Sequence, residues 1–114
     1  MFGILPAYGF YIRHASNITL DGIQLSTVKP DARPAVYLDD VKESTLNNLS
    51  FRTYGTDAGI FIKNSQSIIV KSSLQRGNTR TFINSDVPSE KNIMLVNNLM
   101  EQKGGFVSID NVKK

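Results

Sequence analysis

The chain has no cysteine, no tryptophan and one histidine, and no apolar run approaches the ~20 residues that cross a bilayer as a helix. Each shortage removes a class of protein. Without cysteine there is no disulfide framework and no thiolate metal site. One histidine, His14, cannot build a His-rich metal cluster, so no metal and no cofactor is expected. No phosphate-binding glycine loop, dinucleotide fingerprint or zinc-ligand spacing occurs. The opening MFGILPAYGFYIRH puts no basic residue ahead of its apolar stretch and does not read as a secretory signal peptide. The net charge of +3 comes from scattered lysines and arginines. A nucleic-acid surface needs them clustered on one face, so a solvated surface is the simpler reading. Neither nucleic acid nor membrane is expected as a partner.

What the chain does have is a repeat. GFYIRHASNITLDGIQL, AVYLDDVKESTLNNLSF and GIFIKNSQSIIVKSSLQ align without a gap. Their central apolar residues are Ile12, Leu38 and Ile62, spaced by 26 and 24 residues. Partial copies around Ile83 (TFINS) and Ile109 (FVSIDNV) extend the series, at spacings of 21 and 26. A self-similar period of this size means that each unit is one structural piece stacked on the next. Every unit is rich in Ile, Val, Leu, Phe, Tyr and Thr and is broken by Asn, Asp, Gly and Ser, which is strand chemistry with turns between. No unit sustains the i, i+3, i+4, i+7 spacing of a helix. The expected fold is all-β: a right-handed parallel β-helix of four to five coils, over residues 1–114 as part of a longer domain.

The columns predict which side chains are buried. Residues two apart on a strand share a face. Phe10, Val36, Ile60, Thr81 and Val107 should point inward, with Ile12, Leu38, Ile62, Ile83 and Ile109 beside them. A second inward strand carries Ile18 with Leu20, Ser44 with Leu46, Ile68 with Val70, and Ile93 with Leu95 after a four-residue insertion. A third is marked by Ile23 with Leu25 and Leu49 with Phe51. Asp21-Gly22, Asn47-Asn48, Ser72-Ser73 and Asn97-Asn98 fall at the corner between second and third strands, where small polar residues tolerate left-handed backbone. The longest irregular stretches, STVKPDARP, RTYGTDA, QRGNTR and EQKGG, lie between the third strand and the next unit, an edge suited to ligand contacts.

Few residues carry chemistry. Asp39-Asp40 is a pair of carboxylates of the kind used in sugar hydrolysis. The repeat argues for a structural turn instead, since Arg13 and Lys63 stand where Asp39 does, and His14 and Asn64 where Asp40 does. His14 therefore reads first as a surface hydrogen-bonding residue. Arg13 offers a planar fork that matches the carboxylate of an acidic sugar, although an ordinary surface role is the simpler one. Tyr11, Tyr37, Phe61 and Phe82 form a column whose neighbours point in, so these four should point out. An exposed aromatic row signals contact with something. It is either a platform for a polysaccharide or a surface covered by another segment, the latter being favoured. Asn17-Ile18-Thr19 and Asn48-Leu49-Ser50 have the form of glycosylation acceptors, but the repeat already accounts for both.

PAYGFYIRH, NITL and KPDARPAVYLDDV, all within roughly the first 40 residues, resemble the late coils of glycoside hydrolase family 28, the polygalacturonase-like β-helix family acting on pectic polysaccharides. The resemblance implies a parent that hydrolyses a galacturonan-type polymer with inversion, using three aspartates in Asn-Thr-Asp and Asp-Asp motifs with Gly-His-Gly and Arg-Ile-Lys beyond. None of those motifs stands in this chain, and LDDV lacks the context of the catalytic pair, so no catalytic residue is carried over. The resemblance further implies a secreted or periplasmic parent whose upstream coils would stack on this segment. On this reading the chain is a C-terminal piece, inactive alone, prone to self-association through its N-terminal edge. The alternative is a non-catalytic carbohydrate-binding or structural solenoid. Arg13, His14, Tyr11, Tyr37, Phe61 and Phe82 are the candidate sugar contacts.

Overall fold

A computed structural model describes residues 7–110 other than 28, 30, 78, 80, 87, 88, 90, 91, 102 and 103, with only the backbone of Val107–Asp110. Twelve strands run through it, all paired in parallel. They are β1 (Phe10–Ser16), β2 (Thr19–Asp21), β3 (Gln24–Leu25), β4 (Val36–Asn47), β5 (Ser50–Thr53), β6 (Ile60–Lys63), β7 (Gln66–Lys71), β8 (Leu74–Gly77), β9 (Ile83–Asp86), β10 (Ile93–Val96), β11 (Leu99–Met100) and β12 (Val107–Asp110). Each strand pairs with its equivalent one repeat away, which defines a β-solenoid. One sheet runs β3-β5-β8-β11; between its outer rungs the chain winds about three turns. The other sheet is bent. Its long strand β4 pairs with β1 through residues 36–42 and with β2 through residues 45–47 on one side, and with β6 through residues 36–39 and β7 through residues 42–47 on the other. β12 then starts a fifth rung on β9.

The corners explain how short strands become a closed coil. Non-glycine residues at positive φ are rare, and Asn, Asp and His are the types that tolerate it. Here residues at positive φ stack in three columns, all non-glycine but for Gly22: His14, Asp40 and Asn64; Asn17, Glu43 and Ser67; Gly22, Asn48, Ser72 and Asn97. A left-handed residue at the same place in each coil turns every rung by the same amount, so the ladders on either side stay in register. The third corner is therefore Lys71-Ser72 and Val96-Asn97, one residue earlier than the sequence columns placed it in these two coils.

Turning the backbone takes the following N–H out of the strand ladder, and a buried donor must find an acceptor. Inward polar side chains of the next coil supply it. Ile18, Val41 and Leu49 donate to the hydroxyls of Ser44, Ser65 and Ser73 at 3.1–3.2 Å. Ser65 N–H donates to Ser89 Oγ at 2.8 Å, and Ser73 N–H to Asn98 Oδ1 at 3.0 Å. The hydroxyls of Ser44, Ser65 and Ser73 each donate to the carbonyl two residues back. The interior is thus apolar along the strands and polar at the corners.

The apolar part follows the predicted columns in the middle coils. Val36, Leu38, Leu46, Leu49, Phe51, Ile60, Ile62, Ile68 and Val70 are all fully buried. Their first-coil equivalents Phe10, Ile12, Leu20, Ile23 and Leu25 pack on this core but stay half-buried. The fourth coil departs from expectation. Ile60 pairs with Ile83 and Ile62 with Ser85, so β9 sits two residues away from the alignment read from TFINS. Ser85, wholly buried, holds the anchor position, and its hydroxyl is satisfied by the Asp86 carbonyl at 2.9 Å. Corrected steps from Ile62 to Ser85 and from Ser85 to Ile109 are 23 and 24 residues. The insertion before Ile93 shrinks from four residues to two. Ile109 keeps its register in backbone pairing, but its side chain lies outside the described residues.

The same shift overturns the placement of Phe82. It is fully buried, not outward. Its place in the register is that of Gly59, whose missing side chain leaves room beside Phe51. Phe82 stacks on Phe51 with ring centroids 5.9 Å apart and meets the edge of Phe106 at 5.8 Å.

Candidate ligand-binding face

The outer face of β1, β4 and β6 gathers the remaining candidate residues. Alternation turns Ile12, Leu38 and Ile62 inward, and hence their neighbours on both sides outward. Pairing of Tyr11 with Tyr37 and of Tyr37 with Phe61 lines up three rings on adjacent rungs. Tyr11 meets Tyr37 edge-on at 5.7 Å; Tyr37 and Phe61 stack at 5.6 Å with planes 12° apart. All three are half-buried. The fourth position is Asn84, which pairs with Phe61 in place of the expected Phe82.

Two residues further along the same strands comes a charged column: Arg13, Asp39 and Lys63, in register. The Arg13 guanidinium lies 5.9 Å from the centre of the Tyr11 ring and the Lys63 ammonium 5.7 Å from that of Phe61. Both distances fall within the range of a cation–π contact. Asp39 sits between them. Its carboxylate accepts a hydrogen bond from Asn64 Nδ2 at 3.2 Å and lies 3.6 Å from Arg13 Nε. Lys63 Nζ donates to Asn84 Oδ1 at 2.9 Å.

His14 and Asp40 occupy the adjoining corner, and their side chains meet with Nδ1 2.8 Å from Oδ2. That hydrogen bond, helped by the charge of Lys42, holds the Asp40 carboxyl below its ordinary range. A shallow recess of about 220 Å3 lies beside them, lined by Ser16 and Lys42 as well. Asp39 and Asp40 are therefore committed to different partners. This is the structural turn expected from the repeat, with a positive φ at Asp40. Among the described residues no group of three or more potential metal-ligating side chains comes together.

Asp86 was not singled out by the sequence. Burial works to raise its pKa, but hydrogen bonds from the Ser89 hydroxyl and from the Asn64 and Ser89 amides outweigh it and leave the carboxyl below its ordinary range. Asp86 thereby closes the corner that Asn64 opens. The fold defines the chain as a β-solenoid of parallel β-helix type. No family model, no curated protein and no solved structure matches the chain.

Proposed function

We propose that this chain is a non-catalytic, carbohydrate-contacting segment of a β-helical protein acting on a pectin-like, acidic polysaccharide. The observation that carries the reading is the face of Tyr11, Tyr37 and Phe61 flanked by Arg13 and Lys63. Rings in register offer apolar contact along a line, and the two cations favour an anionic polymer. The resemblance of the first coils to family 28 supports a galacturonan-type substrate for the parent. In that reading the parent's upstream coils stack on the side of β1–β3 away from β4 and β5, where Phe10, Ile12, Leu20, Ile23 and Leu25 are half-buried among the described residues while their counterparts one coil later are fully buried.

Affinity electrophoresis in gels containing polygalacturonate tests the proposal. The wild-type chain is retarded, and Tyr37→Ala and Arg13→Gln each lose most of the retardation while remaining folded by circular dichroism. Undiminished retardation in both variants would remove this face as the site. No retardation of the wild type favours a second reading, that the Tyr37–Phe61 stack is a structural ladder whose ring faces are already used against each other.

A further inference from the structure

We infer that Arg52 and Arg76, on the outer face of the other sheet, form a binding site for a dianionic tetrahedral oxyanion, free or as an ester. The site is separate from the aromatic face and does not depend on it. Arg52 on β5 pairs directly with Arg76 on β8 in the parallel register. Both flank inward neighbours, since Phe51, Thr53 and Gln75 are buried, so the two side chains leave the sheet on the same outer side, one rung (~4.8 Å) apart. Like charges directly opposite on neighbouring strands are destabilising. A bound anion would relieve that repulsion.

Among the described residues no carboxylate lies within ion-pair distance of either guanidinium, and neither side chain makes a hydrogen bond. Neither acidic group nearby forms an ion pair with the two arginines. Glu101 follows Arg76 on the next rung; its Oε1 accepts the Gly77 amide at 2.8 Å and it makes no ion pair with Arg76, so it offsets part of the Arg76 charge at a distance and leaves Arg52 uncompensated. Asp31, which with Arg52 acts on the Tyr8 hydroxyl, is held by Arg33 through hydrogen bonds of 2.7–3.2 Å.

The two arginines border a recess of about 230 Å3 that also exposes Gln24, Ser26 and Ser50. That inventory suits an oxyanion. Two guanidinium forks present several N–H donors to one group, and the hydroxyls and amide add neutral donors. A single carboxylate would neutralise only one of the two charges, whereas a phosphate or sulfate group with two charges matches both. The recess lies at the start of the irregular stretches that follow β5 and β8, the edge singled out in the sequence for ligand contacts.

Thermal unfolding in the presence of inorganic phosphate, inorganic sulfate, glucose 6-phosphate or acetate, at constant ionic strength, tests the site. Phosphate or glucose 6-phosphate raises the wild-type Tm saturably, and acetate does not. Saturation at lower concentration by the sugar ester identifies an ester as the ligand; the reverse identifies the free ion. In Arg52→Gln and Arg76→Gln the apparent Kd weakens at least about tenfold, the loss expected for one charge-assisted contact. Without added anion, either variant has a Tm equal to or above wild type, because the repulsion is relieved. Tyr37→Ala, on the other sheet, keeps the full anion response, so failure of the polysaccharide reading leaves this one standing. The proposal is overturned if no anion gives a saturable shift, if acetate matches phosphate, or if both glutamine variants respond as the wild type does.

Discussion

The Ser73 hydroxyl accepts the Leu49 amide proton at 3.2 Å across one step of the stack, and in turn donates to the Lys71 carbonyl at 3.0 Å. Leu49 follows the left-handed Asn48, so its N–H has left the strand ladder and depends on that oxygen. Ser73→Ala orphans a buried donor, and a loss of about 1–3 kcal/mol in urea unfolding is expected. Ser16→Ala, on an exposed hydroxyl, should stay within about 0.5 kcal/mol. Equal losses would mean that the corner hydroxyls are incidental.

Leu38 and Asp40 are neighbours in sequence with opposite sensitivities. Leu38→Ala opens a cavity between Ile12 and Ile62, at an expected cost of about 2–5 kcal/mol. Asp40→Asn gives up an exposed pair with His14 and keeps a residue type already present at Asn64 in the same corner. Its midpoint in chemical denaturation should stay close to wild type. A loss as large as that of Leu38→Ala would contradict the column assignment.

Two glycines at positive φ should respond differently to substitution. Gly22 (φ 70°) has nothing within 4 Å of where a Cβ would stand, and Asn48 and Asn97 occupy equivalent corners. Gly22→Asn should be neutral, or stabilising by up to about 1 kcal/mol through the unfolded state. Gly77 (φ 103°) would drive a Cβ into the Thr53 carbonyl on the rung below. Gly77→Ala should cost about 1–3 kcal/mol. Differential scanning calorimetry of the two variants compares them directly.

Stability should fall at both ends of the pH scale, for opposite reasons. Asp31 and Asp86 have pKa values below the ordinary range, Asp31 at about 2. Their contribution is complete above the unfolded value near ~4 and is lost as pH falls through each folded value. Tyr8 is the reverse case. Burial of its hydroxyl raises it to about 12. Its contribution is complete below ~10 and declines as pH rises towards 12. In unfolding measured against pH, Asp86→Asn should flatten the acid limb and Tyr8→Phe the alkaline limb. Unchanged limbs in both would remove these groups as the cause.

The isolated chain should release no reducing ends from polygalacturonate. Asp39 is bound to Arg13 and Asn64, and Asp40 to His14, so the two carboxylates do not face a common point between them. Turnover in a reducing-sugar assay that disappears in Asp39→Asn or Asp40→Asn would show instead that the pair is catalytic.

The parts of the fold that the sequence made legible are those in which one column keeps one chemical character. Ile12, Leu38 and Ile62 repeat an apolar anchor, and Tyr11, Tyr37 and Phe61 an aromatic neighbour, so register and face follow from alternation alone. β9 broke the pattern because a buried serine holds the anchor at Ser85, while Ile83, two residues earlier, looks like the anchor. Phe82 was then assigned to the outside. Its true role depends on the space left by Gly59 against Phe51, a relation between residues on different sheets that no single strand reveals. The inward serines had a local signal: Ser65 and Ser73 each follow a residue suited to left-handed backbone. The Arg52–Arg76 pair lay one residue past the aligned segments, at the same step of 24 residues that separates Leu38 from Ile62, and the pairing of β5 with β8 sets the two side by side.

Each rung hydrogen-bonds to the rungs one repeat away, so the stack is a zipper closed one coil at a time. Among the described residues no strand ties distant coils together when the molecule is pulled from its two ends. It should open in discrete slips, each freeing one coil of 23 to 26 residues, or about 80–90 Å of extended chain. An even sawtooth in a force–extension trace would be the mechanical image of the repeat.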